Sequence, residues 1–246
     1  MPQPLTALQA AWNAASNALD LQDWQSLRLN ARAMLAEDQL YPMGWSYLGI
    51  AYLQLGLEKK SQNLMDEGLG YHRNAVNYGP TERTPLVNYA LALAKMGYTD
   101  IALSEFQKGT KLFPDDVDFW CRRCHFELQS QLIDEAGDSI SRILELASKT
   151  PIIPVEFIYT GGSPLPLGSA IGITVYKLDD GMYICEGSYF DIYGTGLSFK
   201  EAFIDFFGEF EILIEEYVDT DDPLDEGAQE LAANLQDLIG GNISAV

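Results

Sequence analysis

The sequence predicts an all-α superhelix of helix-turn-helix repeats over residues 1–150, followed by a small α+β domain with an antiparallel sheet and two helices. Three observations carry this. A fixed offset of about 34 residues relates residues 83–116 to 117–150, and a Pro- and Gly-rich stretch ends the helical pattern after Ser148. Two β-rich runs joined by Asp179-Asp180-Gly181 then precede an aromatic helix. The second signal marks a composition change and the third a hairpin.

The offset sets Leu86 on Trp120, Ala90 on Cys124, Ala102 on Ala136, Phe106 on Ile140 and Gly109 on Ile143. Small residues recur where two helices approach closely, and large ones where they interlock. Tyr41–Asn74 fits the same frame, with Trp45, Leu48, Gly49 and Tyr52 on a first helix and Ser61, Met65 and Gly68 on a second. Gly56 and Gly97 fall in one slot between helices, where a C-terminal cap is expected. A fainter copy runs from Leu8 to Tyr41, with Ala15 in the small slot and Trp24 opening the second helix. Four units thus start near residues 8, 42, 83 and 117, the second lengthened by His72–Pro80. Leu27 and Gln131 depart from the pattern.

Trp45-x-x-Leu48-Gly49-x-x-Tyr52 and Ala102-x-x-x-Phe106-x-x-Gly109 with Pro114 resemble the tetratricopeptide (TPR) repeat family. That resemblance implies a concave face, built from the first helices, that holds a peptide or helix. The repeat frame puts Trp12, Ser16, Met43, Ser46, Ile50, Leu53, Val87, Leu91, Lys95, Cys121, Arg122, His125 and Gln129 on it. This groove is mainly apolar. Family members that grip a chaperone's C-terminal carboxylate use a ring of Lys, Asn and Arg there. Asn88, Lys95 and Arg122 alone do not complete such a ring, so an apolar helix or extended segment anchored by Met43, Ile50 and Leu91 is expected instead. The competing expectation is that some of these side chains pack on another element of the same chain.

Cys121-Arg122-Arg123-Cys124-His125 is a literal match to the c-type haem attachment pattern. It lies inside a predicted helix, and Cys124 occupies the small buried slot, so structural cysteines are the expected reading. Cys121 and His125 share a face one turn apart, but only His72 and Cys185 remain as other soft ligands. No cofactor and no metal site is expected.

Ser148–Gly172 is read as a connection over 151–170 that contains a strand, Ile153–Thr160. Strands Ile171–Leu178 and Met182–Tyr189 follow, then a short strand to Tyr193 and a Gly194-Thr195-Gly196 turn. Ser198-x-x-Glu201 is a capping box opening a helix to about Tyr217. Its apolar stripe is Phe199, Phe203, Phe206, Phe207, Phe210 and Leu213, with Glu209, Glu211, Glu215, Glu216 and then Asp219 toward water. A last helix runs from Leu224 to Ile239, before Gly240-Gly241. The strands, the Gly-Thr-Gly element and the helix start with Glu201-Ala202 resemble the HicB-like antitoxin family. This implies, for residues 171–246, a partial ribonuclease-H-like sandwich that blocks a protein partner and lacks catalytic carboxylates.

The formal net charge is −21, unevenly placed. Residues 1–150 hold 13 basic and 18 acidic side chains, whereas 151–246 hold 2 basic, Lys177 and Lys200, and 18 acidic. Such a surface repels nucleic acid and anionic membrane and favours a basic protein partner. Three cysteines fit a reducing compartment, and with no stretch of some 18 apolar residues a cytoplasmic protein is expected. Oligomeric state stays open.

Catalysis is not expected. Two histidines leave few general bases, no Gly-x-Ser-x-Gly elbow occurs, and Gly161-Gly162-Ser163 and Gly194-Thr195-Gly196 lack the partners of a phosphate-cradling loop. Asp219, Asp221, Asp222, Asp225 and Glu226 depart from a calcium-loop spacing. The sequence therefore predicts a protein-binding protein, antitoxin-like or immunity-like, or alternatively a TPR adaptor or chaperone in a larger assembly.

Overall fold

The computed structural model describes residues 6–147, 152–160, 163–187, 190–220 and 223–240. Gly161, Gly162, Tyr189, Asp221, Asp222 and Gly241, to which the sequence assigned roles, lie outside them. The chain forms two compact units, 1–115 and 116–246.

The first unit holds three helix pairs: α1 (Ala7–Asp20) with α2 (Trp24–Glu37), α3 (Pro42–Glu58) with α4 (Gln62–Tyr78), and α5 (Arg83–Lys95) with α6 (Thr99–Leu112). A fourth pair, α7 (Val117–Gln129) and α8 (Ile133–Leu146), opens the second unit. The expected array end at 150 and the observed division after Asp115 thus differ by one pair. Ala90, Cys124, Ala102, Ala136, Phe106 and Ile140 are all fully buried, as their recurrence at small and large slots requires. Leu27, which departs from the pattern, is fully buried too.

The turns inside the pairs repeat more faithfully than their residues. Gln22, Lys60, Gly97 and Gln131 have φ of 55°, 51°, 82° and 60°. The amide after each donates five residues back: Asp23 to Ala18, Ser61 to Gly56, Tyr98 to Leu93 and Leu132 to Glu127, at 2.8–2.9 Å. This is the Schellman closure, in which one left-handed residue satisfies the last carbonyls of a helix. The residue equivalent to Gly97 is therefore Lys60, not Gly56. Gly56 lies within α3, where a Cβ would stand 2.6 Å from Met65 Cγ and 2.8 Å from Met65 N. It is small because α4 crosses it, not because it caps a helix.

In the second unit the strands β1 (Ile152–Thr160), β2 (Ser163–Lys177), β3 (Tyr183–Gly187) and β4 (Ile192–Gly196) form an antiparallel meander in sequence order. Residues 151–170, expected to be mainly connection, supply β1 and the first part of β2. Pro154 is tolerated because β1 is an edge strand. The Asp179-Asp180-Gly181 hairpin forms, with Gly181 at φ 89°. Gly194-Thr195-Gly196 is strand, not turn. A Cβ on Gly194 would lie 2.1 Å from Phe206 N and 2.2 Å from Ala202 O, and one on Gly196 2.5 Å from Ala202 N. These glycines let β4 lie against the backbone of helix α9 (Phe199–Tyr217).

Along the strands Ile153, Val155, Phe157, Ile171, Ile173, Val175, Tyr183, Cys185 and Ile192 are buried. They share one core with Phe199, Phe203, Phe206, Phe207, Phe210 and Ile214 of α9, and with Cys124, Leu128, Ile140 and Ile143 of α7 and α8. Ser198 Oγ accepts from Glu201 N (3.2 Å), while the Glu201 carboxylate accepts from Leu197 N (2.7 Å), one residue earlier than the expected box. Helix α10 (Glu226–Leu238) starts two residues after the expected Leu224, with Asp225 as its cap.

Candidate protein-binding face

Cross-helix hydrogen bonds join the first helices of the pairs. Ser16 Oγ and the Tyr47 hydroxyl are 3.0 Å apart, linking α1 to α3. Asn88 Nδ2 donates to Ser46 Oγ at 2.8 Å and Lys95 Nζ to Gln54 Oε1 at 3.3 Å, linking α3 to α5. The frame residues of these helices divide accordingly. Ser46, Leu53 and Val87 are buried and act between helices. Trp12 and Leu91 are exposed, at 41% and 37%, as is Lys95, while Met43 and Ile50 are half-buried. Gln54 was missed, although it lies one turn from Ile50.

The α7 portion is engaged within its own unit. His125 Nδ1 lies 3.3 Å from the carbonyl oxygen of Pro154, and Gln129 Nε2 donates to Glu156 at 2.7 Å, so β1 lies along this helix face. Arg122 Nε is paired with Asp118 at 3.0 Å on the same helix. Cys124 is fully buried with its thiol 3.9 Å from Ala136 O, and burial raises its pKa well above the usual range. Cys121 is half-buried and its thiol is also pushed up by burial. The haem-like run is thus about a turn and a half of a packed helix, its side chains spread around the axis. Glu127, beside it, is enclosed: Arg123 Nε and Ser139 Oγ each donate to it at 2.6 Å, and burial raises its carboxyl pKa against those two bonds.

On α9, Glu209, Glu215 and Glu216 are exposed and Glu211 is half-buried, and Asp219, just past the end of the helix, is exposed. Ile204 and Ile212 are also exposed, at 53% and 48%, on the face that the acidic pattern marks as solvated. Lys177 and Lys200 border a depression of about 370 Å³ between α8, α9 and the β2–β3 hairpin. Lys200 is tied to Asp134 at 2.8 Å and Lys177 rests 5.0 Å from the Tyr183 ring centroid, so each lysine has a local partner. Among the described residues no cluster of three or more His, Cys, Asp or Glu is arranged for a metal, and no helix is long and apolar enough to cross a membrane.

No family model and no curated protein matches the sequence, and no comparison supports the HicB-like resemblance of residues 171–246. Among solved structures the chain is similar to TTC0263, a thermophilic TPR protein of Thermus thermophilus, with TM-score 0.51 and 20% identity over 58% of this chain and 75% of that one. It is also similar to YrrB, a TPR protein with an unusual peptide-binding site, with TM-score 0.45 and 16% identity over 57% and 69%. The helical part of this chain has the fold of a tetratricopeptide array.

Proposed function

We propose that the protein is a non-catalytic adaptor that holds a peptide segment of a protein partner on the face formed by α1, α3 and α5. The observation that carries this is the set of side chains left accessible between the bonded first helices: Trp12, Met43, Ile50, Leu91 and Lys95. Apolar anchors flanked by polar groups suit a helix or extended segment bound side-on. The α7 residues Arg122 and His125 are left out of this reading, because Asp118 and β1 engage them.

A second reading, neutralisation of a basic protein in the antitoxin-like or immunity-like manner, is favoured by the exposed Glu209, Glu215 and Glu216 beside Ile204 and Ile212 on α9. A pull-down from the native host at low and high salt separates the two. A partner kept at high salt and lost in Ile50→Asp and Leu91→Asp supports the adaptor. A basic partner released by salt and unaffected by those substitutions supports neutralisation and overturns the adaptor reading.

A further inference from the structure

Helix α2 places Arg28 and Arg32 one turn apart, and both guanidinium carbons lie 6.0 Å from the centroid of the Tyr52 ring. Arg32 Nη2 donates to the Tyr52 hydroxyl at 2.6 Å. Arg28 Nε is buried without a hydrogen-bond partner. Among the described residues no carboxylate forms an ion pair with either, in a chain that carries 36 acidic side chains. Arg122, Arg123 and Arg142, by contrast, each hold a carboxylate of their own helix. A guanidinium presents a planar fork of donors matched to a carboxylate, and Arg28 and Arg32 leave most of theirs unused.

Arg32 also borders an open depression of about 380 Å³ with Gln39, Leu40, Trp45 and Tyr78. Its aromatic wall is fixed: Trp45 stacks at 5.9 Å on both Tyr71 and Tyr78. Trp45 Nε1 donates to Gln39 O at 2.8 Å, so the indole's only polar atom is already engaged. Leu40 and Tyr78 remain exposed, at 62% and 46%. One cationic donor, Arg32, thus lines an apolar aromatic cavity large enough for one bulky side chain, with Arg28 one helical turn away.

We propose that this cleft on α2, α3 and α4 is a second protein-binding site. Its occupant is an acidic peptide segment of a partner, with an Asp or Glu on Arg28 and Arg32 and a neighbouring aromatic or branched apolar side chain against Trp45 and Leu40. Charge complementarity selects this occupant, since the cleft offers unpaired positive charge where most of the molecule offers negative. The site combines the second helices α2 and α4 with Trp45 and Tyr52 of α3, and does not use Ile50 or Leu91.

The test is selection of a random 12-residue phage-displayed peptide library on the full-length protein, followed by fluorescence anisotropy with the recovered peptides. The expected result is convergence on an acidic residue next to an aromatic or branched apolar one. Affinity should fall at least tenfold in Arg28→Gln/Arg32→Gln, fall with added salt, and survive Ile50→Asp. Leu40→Asp, at an exposed rim position, supplies a second loss-of-binding variant whose fold is not at risk. Recovery of no peptide, of peptides without acidic residues, or of peptides bound equally by the double Gln and Leu40→Asp variants overturns the proposal. Loss on Ile50→Asp alone would assign the peptides to the first-helix face instead.

Discussion

The imidazole of His72 on α4 packs so closely on Gly49 of α3 that a Cβ at Gly49 would stand 2.6 Å from the ring carbons. His72 is 1% exposed, so the ring has nowhere to retreat. Gly49→Ala is expected to destabilise the first unit by about 2–3 kcal/mol, since overpacking moves a buried ring or a helix backbone. Urea unfolding followed by far-UV circular dichroism measures this, and a midpoint equal to the parent's would show that α3 and α4 separate without cost.

The same histidine gives the fold a pH dependence. Burial lowers its pKa from 6.5 to about 4, and its Nδ1 has no hydrogen-bond partner. The unfolded chain takes up a proton near pH 6.5 that the folded chain refuses until about pH 4. Its contribution to stability is therefore intact above 6.5 and is lost progressively as pH falls toward 4, by about 3 kcal/mol in all. His72→Leu should flatten this part of the stability profile between pH 7 and 4.5, whatever its effect on absolute stability.

Three of the four left-handed turn positions are occupied by residues with a Cβ, namely Gln22, Lys60 and Gln131. Glycine adopts this conformation without steric cost. Lys60→Gly and Gln131→Gly are each expected to stabilise the protein by about 0.5–1 kcal/mol, and Gly97→Ala to destabilise it by a similar amount. Thermal midpoints of the single variants decide it, and a loss of stability in the two glycine variants would contradict the reading.

Gly194→Ala should be far more damaging than an ordinary strand substitution. Its Cβ would lie 2.1–2.6 Å from backbone atoms of Phe206 and Ala202, and backbone cannot swing aside as a side-chain tip does. A loss of about 3 kcal/mol or more is expected, confined to the second unit. Amide exchange read by mass spectrometry should show faster exchange in β3, β4 and α9 than in α1–α6.

The helix pairs were legible because the side-chain slots that repeat are the ones that interlock, as Ala90 with Cys124 and Phe106 with Ile140 illustrate. Their turns were not, because the closure is written in backbone hydrogen bonds that accept Gln or Lys as well as Gly. Gly194-Thr195-Gly196 read as a turn for the opposite reason: glycine also marks close approach of two backbones, and only the position of α9 distinguishes the cases. Ser46 and Val87 fell on the predicted binding face by helical phase, yet the adjoining helix buries them, which phase alone does not convey. The arginine cleft did leave a trace in the sequence, since Arg28 and Arg32 stand four residues apart on one helix face.

The core common to α7, α8, α9 and the sheet also sets an upper bound on growth. A helical array can in principle be extended by stacking one more pair on its last, provided that pair offers an apolar flank. Here the flank bearing Leu128, Ile140 and Ile143 is already sealed by strands and phenylalanines, so the α+β segment acts as a terminal lid on the final pair. Shortening the chain after residue 147 would strip that lid away. The product would carry an adhesive helix pair, prone to join end to end with its own copies rather than remain discrete.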